Sequence, residues 1–196
     1  RSTLFPYTTL FRSRTGLGLG AIAVALHAVL LWQNVFAKPE LSFTAAETAS
    51  LIGWPTGVLA LALTSLRPRF AGISSILMAI AGVVAATIVE GNAGYALEEQ
   101  SWEIAAHIVL STLAYALLTI AVALAVALAL LDRRLRSRQP LGMLTILPSM
   151  EALESATFQA LGAGFAVLTL ALFSGFIFVR DLFAQHLIHK IGRAHV

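Results

Sequence analysis

Cysteine is absent from all 196 residues. Neither a disulfide framework nor a thiolate metal site can therefore be built. Charge is scarce as well: 12% of residues are Asp, Glu, Lys or Arg, about half the share in a soluble globular domain. The chain has six prolines, and of these Pro55 alone falls inside a long apolar run. No Walker loop, Ser-His-Asp set or pair of intramembrane carboxylates is present, which removes the usual phosphate-binding and hydrolytic chemistries. The glycines of "GLGLGA", Gly16 to Ala21, have the wrong spacing for a dinucleotide fingerprint.

What the chain does have is apolar length. Hydrophobic residues make up 58% of it, and the mean hydropathy is +0.84. Five segments stand out: Thr15 to about Asn34, about Ala45 to Leu66, Ala71 to Val89, about Trp102 to Leu131, and about Ser155 to Val179. Each is long enough, as helix, to cross a hydrocarbon layer of about 30 Å. A lone span in lipid must satisfy its own backbone, so helix is the conformation expected. The fold class is therefore all-α: a polytopic transmembrane helix bundle with about five spanning helices, whose first partner is the lipid bilayer.

Helix starts are legible. "TAAE", Thr44 to Glu47, has the form of a capping box. Pro148-Ser149 before "MEALESATF" marks the start that leads into the fifth span. Gly16 with Gly20, and Gly164 with Ser174 and Gly175, read as small-residue seams for neighbouring helices.

The two ends differ from what they border. "RSTLFPYTTLFRS" and "IGRAHV" resemble translations of the two arms of a short-read sequencing adaptor, so residues 1–13 and 191–196 are expected to be artefact. Residues 14–190 would then be one partial transmembrane domain, expected to lack at least one helix before Arg14 and more after Lys190. Without Arg1, Arg12 and Arg193, ten basic residues face ten acidic ones. The apparent basicity then gives no reason to expect nucleic acid as a partner.

Loop charge sets the expected orientation. With alternating helices, Arg14, Arg67, Arg69, Arg133, Arg134, Arg136 and Arg138 share one side. The other holds Lys38, Arg180 and Lys190 with Glu40, Glu90, Glu98, Glu99, Glu103 and Asp181. Seven basic residues against three place the Arg14 side in the cytoplasm and "EGNAGYALEEQSWE" outside. The run "DRRLRSR" is then a topology anchor and a contact for anionic lipid.

On that topology His27, His107, His186 and His189 all lie toward the outward face. His27 sits in an apolar run, where an ionisable group is costly. It reads either as an imidazole bonded to a neighbouring helix or as a ligand for a metal such as haem iron. His107, Ser111 and Tyr115 are spaced by four, a stripe expected to point into the bundle. His186 and His189 form an i, i+3 pair that suits two interfacial histidines at least as well as a metal site. Glu151 and Glu154 fit a helix start.

From the fourth helix onward the sequence resembles the cytochrome c assembly family of haem-handling membrane proteins. The marks are His107 with Tyr115 eight residues later, Glu154, Gly162, Gly164, Phe165 and Ser174-Gly175. "LFAQHLIHK" resembles the family's bacterial inner-membrane, YpjD-like branch, and His27 with "ELSFTAAETASLIGW" resembles its first histidine helix and the loop after it. The resemblance implies haem as cofactor, held near the outward face by a histidine pair, and other cytochrome c assembly components as partners. His107 corresponds to one outward ligand and His27 to a histidine within the membrane, with Tyr115 beside the site. The second outward ligand is expected beyond Lys190. The tryptophan-rich outward segment of haem-handling members has no counterpart, its place being taken by Phe183 to Lys190. A factor of this kind supplies burial, ligation and orientation, so no conventional enzyme activity is expected. The alternative is a transporter or accessory subunit of the same fold without haem.

Overall fold

The computed structural model describes residues 14–37, 42–87, 95–96, 102–138, 140 and 142–192, with side chains in the last helix described as far as Ile177. Five helices are long and apolar enough to span a membrane. They are α1 (Arg14–Leu31), α2 (Ala45–Leu66), α3 (Ala71–Thr87), α4 (Trp102–Arg136) and α5 (Met150–Gly192). The all-α bundle read from the sequence is the fold. The adaptor-like residues 1–13 and 193–196 lie outside the described residues, as do Lys38, Glu40, Glu90, Glu98 and Glu99.

Helix boundaries follow local chemistry. Thr44 caps α2: its side chain accepts from the Glu47 amide at 3.1 Å, and Glu47 Oε2 accepts from the Thr44 amide at 2.7 Å. Thr44→Ala removes one half of this box and is expected to cost about 1 kcal/mol, read as a lower thermal midpoint in detergent. Ser149 likewise takes the Ala152 amide at the start of α5. A π-helical turn, Trp32–Phe36, prolongs α1, with Trp32 and Phe36 stacked and exposed at its end. The amphipathic ring of Trp32 suits the headgroup level.

α4 and α5 run well past the apolar segments from which they were read. A membrane limits which residues are apolar, not where helical hydrogen bonding stops. Arg133, Arg134 and Arg136 extend α4 into the polar zone, where Arg136 pairs with Asp132 at 2.8 Å.

One feature departs from the all-helical reading. Ser42–Phe43 and Tyr95–Ala96 form a two-residue antiparallel bridge, Ser42 opposite Ala96 and Phe43 opposite Tyr95. Loop backbone outside the apolar layer still needs partners, and here two loops supply them to each other. The bridge also places the α1–α2 and α3–α4 connections on one side of the bundle.

The main core sits at the opposite, arginine-rich end. Phe70, Ile73 and Leu77 pack with Leu124, Leu131, Leu153 and Ala156. The short 3₁₀ turn Pro68–Phe70 drives Phe70 into this core, fully buried, while the Arg69 guanidinium lies 5.5 Å from its ring centre. Arg67 reaches Gln159 of α5, so the α2–α3 turn and the start of α5 share that side. Outward-facing Ile, Leu, Val and Phe side chains elsewhere are exposed to the lipid a five-span bundle requires.

Two seams hold the bundle. On α2, Ser50, Gly53, Gly57, Ala60 and Thr64 repeat at three- and four-residue steps. A Cβ on Gly57 would touch Met78 Sδ at 3.6 Å, Ala81 Cβ and Val24 Cγ2 at 3.7 Å. Three helices therefore meet at the "GWPTG" segment. On α5, Gly164 packs on Leu118 and Gly175 on His107. The two contacts are eleven residues apart on both helices, which fixes an antiparallel register along one face.

Candidate functional site

His107 is in the second turn of α4, half-buried against α5. Its Nδ1 lies 3.0 Å from the Ala171 carbonyl oxygen and 3.0 Å from Ser174 Oγ. Ser174 Oγ itself donates to the Ala171 carbonyl at 2.7 Å. Among the described residues Nε2 has one hydrogen-bond contact, to Ser111 Oγ at 3.5 Å, longer than a good hydrogen bond. The ring lies against the backbone of Gly175, where an added Cβ would stand 2.9 Å from Cε1 and 3.3 Å from Nδ1. Any side chain there would force the ring to shift.

His27 is placed differently. It is 6% exposed, with Nε2 2.7 Å from Ser50 Oγ on α2. Gly53, one turn on, leaves room for the ring: its Cβ position is 3.6 Å from His27 Cε1. Trp54 Nε1 donates to the Val24 carbonyl at 3.1 Å and ties the same two helices together. The ring lines a groove of about 240 Å³ between α1, α2 and α3, with small walls from Ala23, Gly57, Ala81, Gly82 and Ala85.

The structure thus separates the two histidines. His27 belongs to the α1–α2 interface and His107 to the α4–α5 interface, and α1 packs on α2 and α3 rather than α4. Each ring is bonded within its own interface, His27 to Ser50 and His107 to Ala171 and Ser174. Tyr115 also departs from expectation, being 51% exposed. Steps of four residues drift by roughly 40° each around a helix. Two steps carry Tyr115 out of the interface that holds His107 and onto the lipid-facing edge. His186 and His189 fall on the helical backbone of α5, but their side chains lie outside the described residues. Among the described residues no group of three or more His, Asp or Glu could hold a bare metal ion.

Sequence reasoning missed Ser50 as the partner of His27, although Ser50, Gly53 and Gly57 carry a helical small-residue spacing. It named Ser174-Gly175 without assigning either a contact. The backbone carbonyl of Ala171 has no sequence signal.

Haem can be tested against these residues. A metal-ligating histidine typically donates its second ring N–H to a carbonyl or carboxylate, which fixes the tautomer and directs the other nitrogen outward. His107 has that arrangement, so it would serve as one protein ligand to haem iron. The groove at His27 is smaller than the roughly 300 to 1,000 Å³ of ordinary small-molecule sites, so it fits at most an edge of a porphyrin.

Fold and site together define a multi-pass helical membrane protein with a histidine bonded across two of its helices. The chain belongs to the cytochrome c assembly protein family, whose model matches residues 86–191. That range takes in all of α4 and nearly all of α5, and with them His107, Ser174 and Gly175. Its role lies in cytochrome c biogenesis, in a family associated with haem handling. Comparisons with curated proteins and with solved structures give no match.

Proposed function

We propose that the protein binds and handles haem at the outward face of a bacterial cytoplasmic membrane, as a non-enzymatic factor in c-type cytochrome assembly. The observation that carries this reading is His107: Nδ1 is engaged by two oxygens, while among the described residues Nε2 makes a single hydrogen-bond contact, at 3.5 Å. Neutral imidazole in that state is a good iron ligand. Haem would bring the iron; the chain would hold it through His107 and shield one face with α4 and α5. His27 would act apart from this site, as a second imidazole within the apolar layer.

The charge distribution supports an inward arginine end, with Arg67, Arg69 and Arg133 to Arg138 in the cytoplasm. The chain has no cysteine, so single cysteines report topology without background. Trp102→Cys is expected to react with an impermeant maleimide in intact cells and Ser137→Cys only after lysis. The reverse pattern would put His107 on the wrong side. Haem titration of the detergent-solubilised chain should give a Soret band and a reduced α-band. A correctly inserted chain that stays colourless under all loading conditions would refute haem binding.

A second reading has its own support. The His27–Ser50 bond ties α1 to α2, and His107 is bonded in a different interface. A haem-free accessory subunit of the same fold would keep both features. It predicts a colourless chain that co-purifies with another membrane complex.

A further inference from the structure

We propose that Ser174 and the Ala171 carbonyl act as a positioning pair that fixes His107 as the Nδ1–H tautomer, presenting Nε2 to an incoming iron. The inference rests on the reading that His107 is a haem ligand, but the tautomer itself does not. A carbonyl oxygen only accepts, and Ala171 O lies 3.0 Å from Nδ1. The single hydroxyl proton of Ser174 is directed to that same carbonyl at 2.7 Å, so its oxygen also faces Nδ1 as an acceptor, at 3.0 Å. Two acceptors around one ring nitrogen require that nitrogen to carry the proton. The opposite tautomer would set the Nδ1 lone pair against two oxygen lone pairs.

The lone pair is therefore on Nε2. Among the described residues its hydrogen-bond partner is Ser111 Oγ at 3.5 Å, a contact weak enough to yield to a ligand. Gly175 makes the geometry possible, because the ring rests where any Cβ would stand. Ser174 and Gly175 work as a unit: one supplies an acceptor, the other the space that lets the ring reach it. The orientation is set before haem arrives, so ligation needs no rotation of the imidazole. Partners of this kind raise ligand basicity, and their loss typically lowers metal affinity by 10- to 100-fold.

The test uses the full chain labelled with ¹⁵N-histidine in micelles without haem, and the His107 signal is identified by its loss in His107→Gln. The wild-type chain should show protonated Nδ1 and unprotonated Nε2. Haem affinity should then fall about tenfold in Ser174→Ala and return in Ser174→Thr. Gly175→Ala, which moves the ring off both acceptors, should mix the tautomers and weaken haem at least as much. A protonated Nε2 in the haem-free wild type would overturn the proposal, as would unchanged haem affinity in Ser174→Ala. If the wild type shows protonated Nδ1 but takes up no haem, the positioning pair stands and the ligand reading fails.

Discussion

Replacing His107 with alanine is expected to weaken haem binding by more than about 100-fold, beyond the usual loss for an outer-shell partner. The equivalent change at His27 should weaken it by less than about tenfold. The contrast follows from what each ring nitrogen already does. Among the described residues His107 Nε2 has only the 3.5 Å contact to Ser111, so on the proposed reading its removal deletes a ligand. His27 spends Nε2 on Ser50 in a tight 2.7 Å contact, so its removal chiefly leaves a buried serine without its partner. Interhelical hydrogen bonds of this sort are worth about 0.6 kcal/mol on average and at most about 1.7 kcal/mol in membrane proteins. His27→Ala should therefore lower thermal stability measurably while leaving most of the Soret absorbance. Equal loss of colour in both variants would return His27 to the ligand set.

The second large effect concerns packing. Gly164 and Gly162 are two residues apart on α5, and both belong to the pattern that marked the family resemblance. The structure divides them. A Cβ at Gly164 would stand 2.9 Å from Leu118 Cδ2 and 3.3 Å from Leu117 Cβ, whereas nothing lies within 4 Å of one at Gly162. Gly164→Leu should therefore force α4 and α5 apart, at a cost of about 2 to 3 kcal/mol. Gly162→Leu places its side chain in lipid and should change stability by less than about 0.5 kcal/mol. Unfolding in graded SDS measures both. Separation of α4 from α5 also takes His107 away from Ala171 and Ser174, so Gly164→Leu should lose haem affinity and stability together. A stable, haem-binding Gly164→Leu variant would contradict the register described for the two helices.

Much of this architecture was legible in the residues. Apolar length gave the five spans because backbone in lipid has few options. Thr44-Glu47 and Ser149 gave two helix starts because a cap is a local bond between residues three apart. Gly164 and Gly175 were legible as a seam because small residues in an apolar helix have few other uses. What stayed hidden is non-local or has no side chain of its own. The acceptor for His107 is a backbone carbonyl 64 residues away, which no spacing can announce. Tyr115 misled for a different reason: a four-residue stripe looks straight in sequence but winds around the helix. The Gly53-Gly57 spacing was readable in principle, but which helices meet it is a matter of tertiary packing. That His27 and His107 belong to different interfaces depends on helix pairing, which apolar runs of similar length do not encode.

The central claim is that His107 Nε2 is the atom that meets haem iron. Its most direct test is haem loading of His107→Gly with and without free imidazole, which can enter the space the side chain leaves. The account predicts that the variant loses the Soret and α-bands of the loaded wild-type chain and that added imidazole restores them. A His107→Gly chain that keeps those bands unaided, with imidazole making no difference, would show that the iron is held elsewhere.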